Sequence, residues 1–212
     1  MVRRTSLYFC FAMLGASLVL PLATGVARSE KRSAASSADL AKTALGLRAA
    51  HLRAGARGIP LAFEVNRGQA DPVVQYRARG EGFELLLERD GIHFTTRPSQ
   101  SSTSRISSAD SFSLRFAGVA PELLWRGRDE LPGSANYFYG NDPGRWHKDV
   151  PLFLGAGALG MGPGVDCLVY AGERGPEMDF DVARGADLRR VRLEVNGARN
   201  LRLSPEGDLL IE

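Results

Sequence analysis

Residues 83–96 read FELLLERDGIHFTT. Phe83–Glu88 and residues 92–96 are apolar runs of strand length, and Asp90-Gly91 stands between them. Aspartate and glycine tolerate positive φ, so this pair between two apolar runs predicts a β-hairpin with a two-residue turn. His93 alternates with Ile92 and Phe94 and is expected on the outer face of its strand. Upstream, residues 59–65 and 73–79 form two more candidate strands. In the second, Val73, Gln75 and Arg77 alternate with Val74, Tyr76 and Ala78.

Downstream, residues 98–110 (PSQSSTSRISSAD) are poor in apolar side chains and predict a surface loop. Residues 111–116 alternate again, with Phe112, Leu114 and Phe116 on one face. Further short runs begin at Leu123, Asn136, Val150, Val165, Met178, Val191, Leu201 and Leu209. Between Leu154 and Val165 lie five glycines, at 155, 157, 160, 162 and 164, which predict a flexible or irregular segment. Roughly ten to twelve short strands follow Ile59, with no long amphipathic helix among them. The expected fold is all-β, with sandwich-like layered antiparallel sheets and turn-rich connections. Crossover helices for an α/β fold have no room.

The chain has 212 residues, 44% hydrophobic and 24% charged, which allows a packed core and excludes both a polyelectrolyte tail and a multi-span membrane protein. Net charge is +3 from 27 basic and 24 acidic residues. Arg3 and Arg4 account for most of it, and the remaining bases are dispersed among acids. No nucleic-acid role is expected, because phosphate binding concentrates bases on one face. Residues 1–27 combine those two arginines, an uncharged apolar run and small residues at Gly25 and Ala27, the pattern of a secretory signal peptide. An uncleaved leader would instead anchor the protein in a membrane. Residues 28–57 are expected to be a polar linker with a weak helix, and residues 58–212 a β-rich domain, truncated or whole at its C-terminus. Removal of the leader, which holds Cys10, leaves Cys167, expected as a buried thiol in the apolar strand VDCLVY.

Side chains with chemical potential are scattered. His51, His93 and His147 are isolated, and no paired-ligand motif for zinc occurs. Glu177, Asp179 and Asp181 alternate, but calcium needs six to eight oxygens. Neither a metal nor a cofactor is therefore expected. Ser134, His147 and Asp149 would need the fold to assemble them as a triad. Glu64, Asp71, Asp129, Glu130, Asp142 and Asp166 are carboxylates that sequence alone cannot pair across a cleft. GAGALGMGPG lacks the helix a dinucleotide loop requires. No catalytic residue is assigned. Tyr137, Phe138, Tyr139 and Trp146 form an aromatic cluster that reads as corner packing or, alternatively, as a sugar-stacking platform.

Several blocks carry a family likeness. Residues 131–151, LPGSANYFYGNDPGRWHKDVP, resemble the distinctive block of a bacterial secreted domain of unknown function that sits N-terminal to SBBP (β-propeller-type) repeats. Residues 59–71, IPLAFEVNRGQAD, resemble its opening block. Residues 76–94, 163–172 and 177–209 follow in the family's order. The resemblance implies export, a mostly β fold and a place at the front of a larger extracellular protein. It implies fold-setting roles for Asn66, Gly68, Gln69, Asn136, Tyr137, Phe138, Gly140, Asn141, Asp142, Trp146, Pro151, Gly164, Asp166, Asp179 and Phe180.

The expected function is that of a noncatalytic exported module at the cell surface or in the periplasm. It caps or presents a downstream repeat array or binds another extracellular protein; the alternative is a carbohydrate-binding or carbohydrate-cleaving module. Residues 131–151 are expected to form a turn-rich clamp with Phe138 and Trp146 buried.

Overall fold

The computed structural model describes residues 3–8, 10–12, 17–21, 61–80, 82–96, 111–118, 122–172, 175–187, 189, 191–203 and 208–211. The linker at 28–57 and the polar loop at 98–110 lie outside these residues. Fifteen strands are described: β1 (Arg3–Tyr8), β2 (Cys10–Ala12), β3 (Ser17–Pro21), β4 (Phe63–Val65), β5 (Val74–Gly80), β6 (Phe83–Glu88), β7 (Gly91–Thr96), β8 (Ser111–Ala117), β9 (Trp125–Tyr137), β10 (His147–Gly162), β11 (Val165–Ala171), β12 (Pro176–Val182), β13 (Arg192–Asn196), β14 (Leu201–Leu203) and β15 (Asp208–Ile211). A 3₁₀ turn, Pro143–Arg145, joins β9 to β10. The described chain is thus mostly β, and its pairings are antiparallel.

Eleven strands form one sheet in the order β1-β12-β11-β10-β4-β5-β6-β7-β8-β13, with β9 joined to β10. Register shows how β10 organises it. Phe153 pairs with Glu130 of β9 and Phe63 of β4; Gly155 pairs with Arg128 of β9 and Tyr170 of β11. One edge of β10 therefore carries β9, and the other carries β4 and then β11. Two wings leave the same strand, and their apolar faces meet in one core that includes Leu85, Leu87, Ile92, Phe94 and Leu114 from one wing and Val165, Val169, Met178 and Phe180 from the other. The result is one continuous curled sheet, a half-barrel, where the sequence reading placed sandwich-like layers. A smaller four-stranded sheet, β14-β15-β3-β2, contributes Ile211 to the core. Within residues 1–27, read above as a leader, β1 lies along β12 and β3 along β15.

Two local expectations are corrected. The glycine-rich segment is irregular only in part: β10 runs through it to Gly162, in unbroken register with β11 as far as Ala158, and the irregularity is confined to the register shift between Ala158 and Gly162, where Gly160 has φ of +66°. Close packing demands the small residues. A Cβ on Gly155 would stand 2.6 Å from the Val169 carbonyl oxygen, while Ala156 and Ala158 are fully buried. The hairpin turn is also displaced. Leu87 pairs with Ile92, so Arg89 and Asp90 are its central residues, and Gly91 already belongs to β7. Gly91 is needed for close approach, since a Cβ there would lie 2.1 Å from the Leu114 carbonyl oxygen.

Candidate functional site

The outer face of β4, β5 and β6 carries a ladder of charges. Strand alternation turns Phe63 and Ala78 into the core and Glu64, Arg77 and Arg79 outward. Glu64 lies directly opposite Arg77, and Arg79 opposite Glu84. Arg77 Nη2 and Arg79 Nη2 each donate to a different oxygen of Glu64, both at 3.2 Å. Arg77 Nε lies 3.9 Å from Glu84. Although outward, Glu64 and Arg77 are only 8% and 9% exposed.

Tyr137 is the lid that buries them. Its hydroxyl donates to Glu64 and accepts from Arg77 Nη2 at 2.8 Å and from Arg79. Both guanidinium groups also stand over its ring, at 5.2 and 5.5 Å from the centroid. Burial pushes the Glu64 carboxyl up, but the hydrogen bonds from Tyr137 and Arg79 and the Arg77 charge outweigh it and hold the group below its ordinary value. Burial, with the neighbouring Glu64 carboxylate, pushes the Tyr137 phenol up. Two carboxylates and two guanidiniums balance, so this network fastens one element to another and offers no surplus charge to a ligand.

What it fastens is the far end of the β9–β10 hairpin. Register shifts fall between His147 and Val150 and between Pro151 and Phe153. Asp149, with φ of +54°, sits in the first of these bulges. Bulges bend a strand pair, and this bend lies beside Tyr137, which closes over Glu64. Asn136 Oδ1 accepts from the Asp149 amide at 3.0 Å and pins the bend. Beyond it, Asp142 caps the 3₁₀ turn by accepting from the Gly144 amide, and the Trp146 indole donates to the Gly140 carbonyl at 3.1 Å. Gly140 has φ of +64°, which suits glycine. Asn141 is exposed.

The aromatic residues of this corner are not buried as expected. Phe138 is 60% exposed, Tyr139 is 41% exposed, and Trp146 is half-buried. Phe138 and Trp146 meet edge to face at 5.2 Å, and Lys148 Nζ lies 5.1 Å above the Trp146 ring. Corner residues point outward because the charged network, rather than apolar packing, holds the hairpin down. The clamp expected at residues 131–151 is a bent hairpin end with an aromatic outer surface.

The opening block forms the neighbouring loop. Asn66 Nδ2 donates to the Asp71 and Val74 carbonyls, both at 2.8 Å, and its Oδ1 accepts from the amides of Gly68 and Ala70. Gln69 donates to the Val65 carbonyl and accepts from the Arg67 amide. Gly68, at φ of +109°, lies under His147, whose Cε1 would be 2.8 Å from a Cβ there. Beside this loop an open groove of about 620 Å³ is lined by Val65, Asn66, Pro72, Trp125 and Arg126.

Other singled-out residues are dispersed. Pro151 pairs with Ser134 within the hairpin. Asp166 accepts from the Gly160 amide, and the Gly164 carbonyl accepts from the Ala183 amide in the β11 turn. Phe180 is core. The Tyr170 hydroxyl is 2.8 Å from Glu177 and 3.2 Å from buried Asp179. Ser134 Oγ reaches Asp149 directly at 3.5 Å, and His147 packs by Gly68 and Tyr139 instead of between them. Cys167 is a buried free thiol. Burial and the charges of Asp179, Asp166 and Asp181 push it well above its ordinary value, away from the reactive thiolate. Sequence reasoning passed over the Glu64–Arg77–Arg79 network. Its signal was present as two arginines at alternate positions of one strand, but their acidic partner lies on another.

Residues 63–212 match the model of a family described as a domain of unknown function, DUF7948, and the chain belongs to that family. No curated protein and no solved structure shows significant similarity to the chain.

Proposed function

We propose that this member of the DUF7948 family is a noncatalytic exported module that docks another extracellular protein, a downstream array of propeller-type repeats in particular, through its aromatic corner. The observation that carries the reading is the exposure of Phe138 and Tyr139 on a corner whose base is pinned by Tyr137, Glu64 and Asn136. Exposed aromatics on a rigid base are typical anchors of protein interfaces, because little conformational entropy is lost when they bind. Export rests on the charge pattern of residues 1–27. The sequence likeness to domains preceding SBBP repeats supports the choice of partner.

Ring geometry favours a protein partner over a sugar. Phe138 and Trp146 stand at 88° to one another, and the Lys148 ammonium covers one face of Trp146. A stacking platform for pyranose rings needs open ring faces. A photo-crosslinking residue in place of Phe138 in the exported protein tests the reading. An adduct identified by mass spectrometry as a propeller-type repeat segment is the expected result. Adducts only elsewhere, or binding of soluble glycans that quenches Trp146 in a Trp125→Phe background, would overturn it.

A further inference from the structure

We propose that Glu88, Asp90 and His93, on the outer side of the β6–β7 hairpin, form a binding site for a divalent first-row metal ion of the zinc type. The hairpin register brings the three together. His93 lies opposite Leu86, so Glu88, two residues further along β6, is its diagonal neighbour on the same face. The turn then returns Asp90 to that face. One ligand atom from each residue lies within 4.8 Å of the other two.

The separations suit coordination. His93 Nε2 is 3.4 Å from Glu88 Oε2. An edge of about 3.4 Å is what two ligands show on a tetrahedron with bonds of about 2.1 Å. An imidazole with two carboxylates suits zinc and its neighbours better than calcium, which seeks six to eight oxygens. Three protein ligands leave the fourth position open to water or to a donor from a partner.

Charge and rigidity point the same way. Glu88 is largely buried, at 15% side-chain exposure. Arg89, the cation between the ligands in sequence, is paired with Glu122 at 3.1 Å. A divalent ion would relieve the crowding of acids. The turn that carries the ligands is tied down at three successive carbonyls: Glu88 accepts from the Trp125 indole at 2.8 Å, Arg89 from the Leu123 amide at 2.6 Å, and Asp90 from the Phe116 amide at 3.2 Å. The ligand positions therefore exist before the ion arrives, which lowers the cost of binding.

Calorimetric titration of zinc chloride into the tag-free, metal-free chain tests the site, with cobalt(II) visible absorption reporting geometry. The expected result is one ion per chain, a rise in melting temperature, and a tetrahedral or five-coordinate cobalt spectrum. His93→Gln and Asp90→Asn should each weaken binding by about tenfold or more, while their melts in chelator match the parent, because His93 and Asp90 are not core residues. Absence of binding, or binding that both variants leave unchanged, would overturn the proposal. The second outcome would place the ion at another histidine.

Discussion

Phe116 of β8 and Phe180 of β12 meet edge to face, with ring centroids 6.2 Å apart and planes at 77°. Six strands separate β8 from β12 in the pairing order. The contact exists because β4 and β11 follow one another along the same edge of β10, so that both wings start from one strand and close on each other. Truncating either ring to alanine should cost about 3–5 kcal/mol, the range for a large buried aromatic. A double-mutant cycle in urea should return a coupling of about 0.5–1.5 kcal/mol. Strict additivity would mean that the wings do not touch.

The two tryptophans should separate cleanly. Trp125 is 3% exposed and donates to the Glu88 carbonyl, whereas Trp146 is half-buried at the corner. Trp125→Ala should cost about 3–5 kcal/mol and Trp146→Ala less than half of that. Acrylamide should quench the Trp125→Phe variant, which reports Trp146, more strongly than the Trp146→Phe variant. Equal quenching would contradict the assigned exposures.

Glu64 makes the fold acid-sensitive. Its folded value lies below the ordinary 4.5, so its contribution is complete above that value and is lost as pH falls through the lower folded one. Glu64→Gln should flatten this part of the stability profile. At neutral pH it should cost about 3 kcal/mol by leaving Arg77 and Arg79 without their shared carboxylate. Chemical melts between pH 7 and pH 3 check both statements. An unchanged acid limb in the variant would remove Glu64 from the account.

The glycines of β10 divide by what surrounds them. Gly155→Ala forces a Cβ against backbone at 2.6 Å and should destabilise by about 1–3 kcal/mol. Gly162 has open space around a Cβ and no positive φ, so Gly162→Ala should be neutral or stabilising by about 0.4–1 kcal/mol. Thermal melts of the two variants give the comparison; equal effects would argue against close packing of β10 on β11.

Period-two patterning by itself determined most strands from Phe63 onward. The inward set Phe112, Leu114 and Phe116 and the outward His93 follow from alternation, since a strand has only two faces. The buried thiol of Cys167 followed from its aliphatic neighbours. Asn66, Gly68 and Gln69 are marked as fold-setting only through the family likeness of residues 59–71; the hydrogen bonds they make in the loop came from the structure.

Tertiary structure decided the rest. Gly155 and Gly157 of β10 look like flexibility until Val169 and Tyr170 of β11 and Arg128 of β9 are seen to crowd them, and crowding is a property of neighbours distant in sequence. Phe138 and Trp146 look like core until Tyr137 is found holding the corner by charge, with Glu64 located 73 residues away. Alternation reports which way a side chain points relative to its own strand. It carries no information about what another strand lays over that face, and in this protein the bend of β10 sets that covering.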